Sequence, residues 1–352
     1  MSLEPGIAAL NLEMPDIVPR TEYSAPYHWE LVKKVTGIEV SSKSGTEEQN
    51  RAAGAFMKEW DFAMQWNVCL HSYILGEYRT SMGHAEYAAD GVDADNNLFC
   101  PFKDEDEALA FRATEKLCSV NVKEWANKFT ENYHTISSVI EDTVNMTGTY
   151  VTLVSGLIEL FGWDILLTAA GSDPDGFGEV VNDYAKWIQP FFEALAQSDA
   201  PTIMVHDDIV WTAGPFIHPD WYRRYIFPHY KKFFAPILES GKKLLFTSDG
   251  DYTMFIDDIA TAGAQGFVLE PLTDMKYVAE KYGKTHVIVG NADTRILLSN
   301  NRESIYAEVK RCMDTAKHCP GFIMAVGNHI PANTPVEAAL YYDEIYRKLA
   351  KR

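Results

Sequence analysis

From about residue 200 the chain repeats one pattern, in which a short apolar run halts at a cluster of polar, mostly acidic residues and a helix-like segment follows. The halts are His206-Asp207-Asp208 after PTIMV, Thr247-Ser248-Asp249-Gly250-Asp251 after KKLLF, Glu270-Pro271 after GFVL, Asn291-Ala292-Asp293 after HVIVG, and Asn328-His329 after GFIMAVG. Short apolar runs bounded this way predict buried parallel strands, and strands alternating with helices predict βαβ units. In a barrel or a doubly wound sheet the carboxyl ends of such strands open on one face, where ligands bind. The polar halts should therefore converge on one mouth.

Each cluster could also serve only as a helix cap, because Asp, Asn, Ser and Thr supply side-chain acceptors there. Capping alone does not call for Glu270 before Pro271, or for His329 shortly before Pro331. Farther along, Thr334-Pro335-Val336-Glu337 reads as a capping box opening a last helix through about Lys348. The helix expected over 301–317 puts Ile305, Val309, Cys312 and Ala316 on one face, which makes Cys312 a packing residue.

The first 60 residues read as an irregular, proline-punctuated extension with helices near His28–Thr36 and before Trp60. Residues 61–352 are expected to form the barrel. A Gly/Asp/Asn-rich loop near 90–97 is a candidate excursion over its mouth.

Composition narrows the function. At 352 residues the chain exceeds the ~250 typical of a (β/α)₈ barrel, leaving room for such an extension. With 31 Lys+Arg against 50 Asp+Glu, the net charge of −19 lacks the basic footprint a nucleic-acid partner needs. The five cysteines form no CxxC pair, so neither a disulfide framework nor a zinc ribbon is expected, and a reducing cytoplasm fits. The acidic start MSLEPGIAALNLEMPD and the absence of long uninterrupted apolar runs predict no signal peptide and no membrane span. A homo-oligomer is left open.

The ordered series HDD, IHPDWYRRYIFPHYKKFF, a strand ending in DG, GxxGFxxEP, GNxD and IPxxTPxEA resembles the uroporphyrinogen decarboxylase superfamily, over roughly residues 145–350. The resemblance implies a (β/α)₈ TIM barrel with an N-terminal extension. That superfamily holds tetrapyrrole decarboxylases and corrinoid-dependent methyltransferases. The decarboxylases carry an Arg-rich segment near the N-terminus, suited to bidentate recognition of substrate carboxylates. Here the corresponding stretch is VPRTEYSAPYHWEL, with Arg20 alone. Methyltransferases acting on thiols resemble one another in a His-x-Cys pair and a later Cys that bind Zn²⁺. Those positions align here with Thr247, Asp249 and Asn328, so that thiolate site is absent.

The expected activity is transfer of a methyl group from a small methylated donor, a methoxylated aromatic in particular, to the Co(I) of a corrinoid carried by a partner protein. The alternative is decarboxylation of a porphyrinogen or a smaller acid. Asp207, Asp249, Glu270, Asp293 and His329 are the expected catalytic groups, with Asp249, Glu270 and His329 as O/O/N ligands for Zn²⁺ or another divalent metal. His206, Asp208, Trp211, Asp251, Tyr252, Asn291 and Asn328 are the expected substrate contacts. One of His28, His71 and His84 could close the site from above. Asp293, Glu308 and His329 also invite a metal-motif reading, but Glu308 falls inside the 301–317 helix.

Overall fold

The computed structural model describes residues 3–84 and 98–352, so the loop expected near 90–97 lies outside the described residues. The strands are β1 (Met64–Gln65), β2 (Val68–Leu70), β3 (Val144–Asn145), β4 (Thr147–Thr149), β5 (Thr202–His206), β6 (Lys243–Thr247), β7 (Gly266–Val268), β8 (Val287–Ala292) and β9 (Phe322–Val326). The main sheet has seven strands in the order β2-β4-β5-β6-β7-β8-β9, and each neighbouring pair is parallel. β1 and β3 pair in parallel and lead directly into β2 and β4.

The ring closes through the N-terminal segment. Arg20 is bridged in parallel to both Phe62 and Met324. Its neighbours complete the ladder, with Thr21 N–H donating to Met324 O at 3.0 Å, Met324 N–H to Pro19 O at 2.8 Å, and Ala63 N–H to Arg20 O at 2.8 Å. The segment around Arg20 thus joins the seven strands as an eighth stave. The stretch read as an N-terminal extension, residues 1–60, thus contributes this stave to the barrel. Proline at 19 hid the segment from a strand reading, since Pro cannot donate to a ladder; here only its carbonyl is used.

Two apolar layers hold the barrel. Outside, the strands pack on the helices; inside, Met64, Val144, Met204, Leu245, Val289 and Ile323 fill the lumen together with Ala9 and Leu10 of helix Leu3–Leu10. That short helix reaches the barrel wall closely enough that a Cβ on Gly6 would sit 2.6 Å from Ala63 O, so only glycine fits. Helix Val154–Ser172 is long and apolar enough to cross a membrane, but 67% of its most apolar window is buried within the protein.

Cys312 is fully buried on helix Arg302–Ala316, as its apolar face requires. The last helix runs Val336–Leu349, but its capping box does not form. Pro335 is the cap, with no side-chain bond, and the buried Thr334 hydroxyl makes no hydrogen bond. The Thr334 carbonyl instead meets His28 Nε2 at 2.8 Å, while His28 Nδ1 accepts Leu31 N–H at the start of helix Trp29–Thr36. His28 therefore ties the first connecting helix to the last.

Candidate functional site

The mouth is built from strand ends. A cavity of about 700 Å³ opens there, lined by Tyr23, Tyr27, Trp66, Tyr150, His71, His206, Asp249, Asn328 and His329 among others. Two aromatic walls face it. On one, Tyr150 stacks on His206 with ring centroids 4.3 Å apart at 8°, and His71 stacks on Tyr150 at 5.9 Å. On the other, Tyr23 meets Trp66 and His329 edge-on at 6.2 and 4.8 Å.

Beneath the walls lies a network of acids. Asp208 is buried at the end of β5, where its Oδ1 accepts Asp249 N–H at 2.8 Å. His206 Nε2 is 3.4 Å from the same oxygen. His84 Nε2 lies 3.0 Å from Asp208 Oδ2, a close ion-pair contact, and His84 Nδ1 lies 2.9 Å from Glu159 Oε1. Burial disfavours charge on His84, but the two flanking carboxylates overcome it and raise its pKa to about 10. Burial likewise opposes ionisation of Asp208, yet His206 and His84 hold it well below the usual carboxylate range.

Asp249 behaves in the opposite way. Burial, then the charges of Asp208 and Glu270, push its carboxyl well above the ordinary range, although the group remains accessible from the cavity it lines. Closely spaced carboxylates disfavour joint ionisation, which favours the protonated form of Asp249. Glu270 accepts Gly250 N–H at 2.7 Å and is also bonded by the Asn328 amide. Of the expected site residues, His206, Asp208, Asp249, Glu270, Asn328 and His329 therefore meet at the mouth.

The others are engaged elsewhere in the structure. Asp207 is fully buried and accepts the N–H groups of Leu153, Val154 and Ser155 at 3.1, 3.1 and 2.6 Å and the Tyr230 hydroxyl at 2.5 Å, which makes it the acceptor for the start of helix Val154–Ser172. Asp293 accepts a fork from Arg295, with contacts from 2.7 to 3.0 Å, and caps helix Thr294–Leu298. The Arg295 hydrogen bonds hold it below its ordinary pKa. Asn291 is buried, donating to Glu270 O and Thr273 O and accepting from Arg311. Tyr252 is fully buried with its hydroxyl on Val268 O at 2.7 Å. Asp251 accepts the Thr253 N–H and hydroxyl within its own turn. Trp211 is exposed and packs on Trp163 and Phe216, off the cavity wall. Glu308 is paired to Arg311 on its helix.

The metal expectation also changes. Among the described residues, the ligand atoms of His206, Asp208 and Asp249 lie within 4.8 Å of one another, and Glu270 and His329 fall outside that group. Glu270 is instead bonded by the Gly250 N–H and the Asn328 amide. One imidazole and two carboxylates on this spacing fit a divalent cation.

Several site residues escaped the sequence reading. Tyr23, Tyr27, Trp66 and Tyr150 follow unrecognised or very short strands, and Glu159 sits on an apolar helix that looks wholly structural. The available signal was the pair of tyrosines just after Arg20, legible once that stretch is taken as a barrel strand. Arg20 itself is fully buried between the rings of Trp60 and Tyr346, at 4.3 and 4.5 Å, and is bonded to Asp343, so it does not reach the cavity.

A closed parallel barrel with an acidic, aromatic-walled mouth at the carboxyl ends of its strands belongs to the α/β-barrel enzymes. The chain is a member of the uroporphyrinogen decarboxylase (URO-D) family, which it matches over residues 123–348. Uroporphyrinogen decarboxylase from Carboxydothermus hydrogenoformans is 26% identical over 177 residues, covering 50% of this chain and 49% of that protein. The Thermus thermophilus uroporphyrinogen decarboxylase is 27% identical over 160 residues, covering 46% and 45%. The chain spans about half the length of these curated relatives. Among solved structures, a methyltransferase from Methanosarcina mazei superposes with a TM-score of 0.65 at 19% identity over 98% of both chains, a likeness of fold.

Proposed function

We propose that the protein is a methyltransferase of the URO-D family that moves a methyl group from a small methoxylated aromatic donor to the Co(I) of a corrinoid held by a partner protein. The observation that carries this reading is the cavity itself: aromatic walls, an Asp249 carboxyl on its lining beside Asp208 and Glu270, and no lysine or arginine among its described lining residues. A porphyrinogen with many carboxylates would meet acids where it needs guanidinium groups.

In the proposed reaction the donor ring lies between the walls of Tyr150 and Tyr23, with its ether oxygen toward Asp249. The Co(I) nucleophile takes the methyl carbon, and the CH₃–O bond breaks with its electron pair remaining on oxygen. Asp249 delivers its proton to that oxygen, so a neutral phenol leaves. Asp208, kept ionised by His84 and His206, and Glu270 hold the proton on Asp249 until the oxygen develops charge.

The spacing of His206, Asp208 and Asp249 supports a second arrangement, in which these three hold a divalent ion such as Zn²⁺. When bound, such an ion would supply Lewis acidity to the leaving oxygen in place of the proton.

The test is to incubate purified protein with Co(I) cobalamin and a methoxyarene, following the visible spectrum for methyl-Co(III), beside a parallel incubation with uroporphyrinogen. Methyl-Co(III) formation supports the proposal. CO₂ release from the porphyrinogen with no methyl-Co(III) overturns it in favour of decarboxylation.

A further inference from the structure

The charge of the mouth selects among donors of the same shape. The Glu270 carboxyl is met by neutral donors, the Gly250 N–H and the Asn328 amide, and among the described residues no salt bridge reaches it or Asp249. Asp208 differs, because His84 already answers its charge. The guanidinium of Arg295 is already forked onto Asp293. Two of the cavity's histidines bring no charge either, since burial holds His71 and His329 below their ordinary pKa.

The walls point the same way. The rings of Tyr150, Tyr23 and Trp66 present π-systems to a cavity with an acidic floor, and such surroundings attract a cation. The protein's net charge of −19 adds a long-range field of the same sign. An anionic donor would have to enter against that field and bury its carboxylate with no lysine or arginine on the cavity lining to receive it.

We propose that the cavity selects an aryl methyl ether carrying a protonated amine over its neutral and carboxylated analogues. The inference rests on the methyl-transfer reading for what is moved, but not for what is bound. Binding and turnover are therefore measured separately.

Calorimetric titration of the protein with para-methoxybenzylamine, para-methoxybenzyl alcohol and para-methoxybenzoate at neutral pH compares three ligands of nearly one shape and three charges. The amine should bind about tenfold or more tighter than the benzoate, with the alcohol between them and the spread shrinking as salt is raised. Glu270→Gln, which keeps the amide and N–H partners, should narrow the spread. Asn333→Lys, which adds a cation to the cavity wall, should shift preference toward the benzoate. Equal or tighter binding of the benzoate to the wild type, or no binding of any of the three, overturns the charge inference. If the binding order holds while no donor methylates cobalamin, the methyl-transfer reading fails and the charge inference stands.

Discussion

Nε2 of His84 lies 3.0 Å from Oδ2 of Asp208, joining the segment after residue 78 to the end of β5 across the mouth of the barrel. The pair is buried, so removing one partner strands the other. His84→Gln should lower stability at neutral pH by about 3 kcal/mol, the usual scale for breaking a buried pair. The pH dependence has a defined sign. The pKa of His84 is raised from 6.5 to about 10, so its stabilisation is complete below about 6.5 and fades as pH climbs toward 10. Urea unfolding of both proteins should show a gap that is large at neutral pH and closes on the alkaline side. A constant gap would mean that the contact is not ionic.

Asp207 has a structural task beside a residue of the site. Asp207→Ala leaves three N–H groups and the Tyr230 hydroxyl without their acceptor, and should cost about 3 kcal/mol or more. Denaturant unfolding should record that loss while calorimetry on the folded fraction shows donor affinity retained. Lost affinity with unchanged stability would restore Asp207 to the binding site.

In the proposed reaction Asp249 serves as proton donor in its protonated form. Asp249→Asn should therefore reduce methyl transfer by about a hundredfold or more. In the wild type, burial and the neighbouring charges of Asp208 and Glu270 raise its pKa, so the rate should be highest below that raised value and fall as pH rises through it. A rate that climbs with pH across the same range, or an Asp249→Asn variant of full activity, contradicts the assignment.

A divalent ion should be sensed by a different set of residues from the one the sequence suggested. Excess Zn²⁺ should raise the thermal midpoint of the wild type and of His329→Ala alike, because ligand binding to the folded state stabilises it. His206→Ala should lose the response, since His206 belongs to the ligand-spaced group and His329 does not. The opposite pattern would return the metal to His329.

The repeated halts were legible because strands β5 to β9 are continuous apolar runs, and buried parallel strands announce themselves that way. The three preceding staves were not, since Arg20 lies in a proline-punctuated stretch and β1 to β4 are each two or three residues long. A polar residue at a strand end was a sound guide to position but not to task. Asp207 and Asp208 are adjacent just past the end of β5, yet one carboxylate goes to a helix start and the other to the mouth. His84 and Glu159 were silent for another reason. Their meaning comes from contact with each other across 75 positions of sequence, a distance that no local pattern spans.

The most direct test uses a donor labelled with carbon-13 in its methoxy group, incubated with the protein and Co(I) cobalamin and followed by NMR. The account predicts that the label appears as a cobalt-bound methyl with release of the free phenol, and that Asp249→Asn suppresses both together. Label that stays on the ether while an acid substrate yields CO₂ would contradict it.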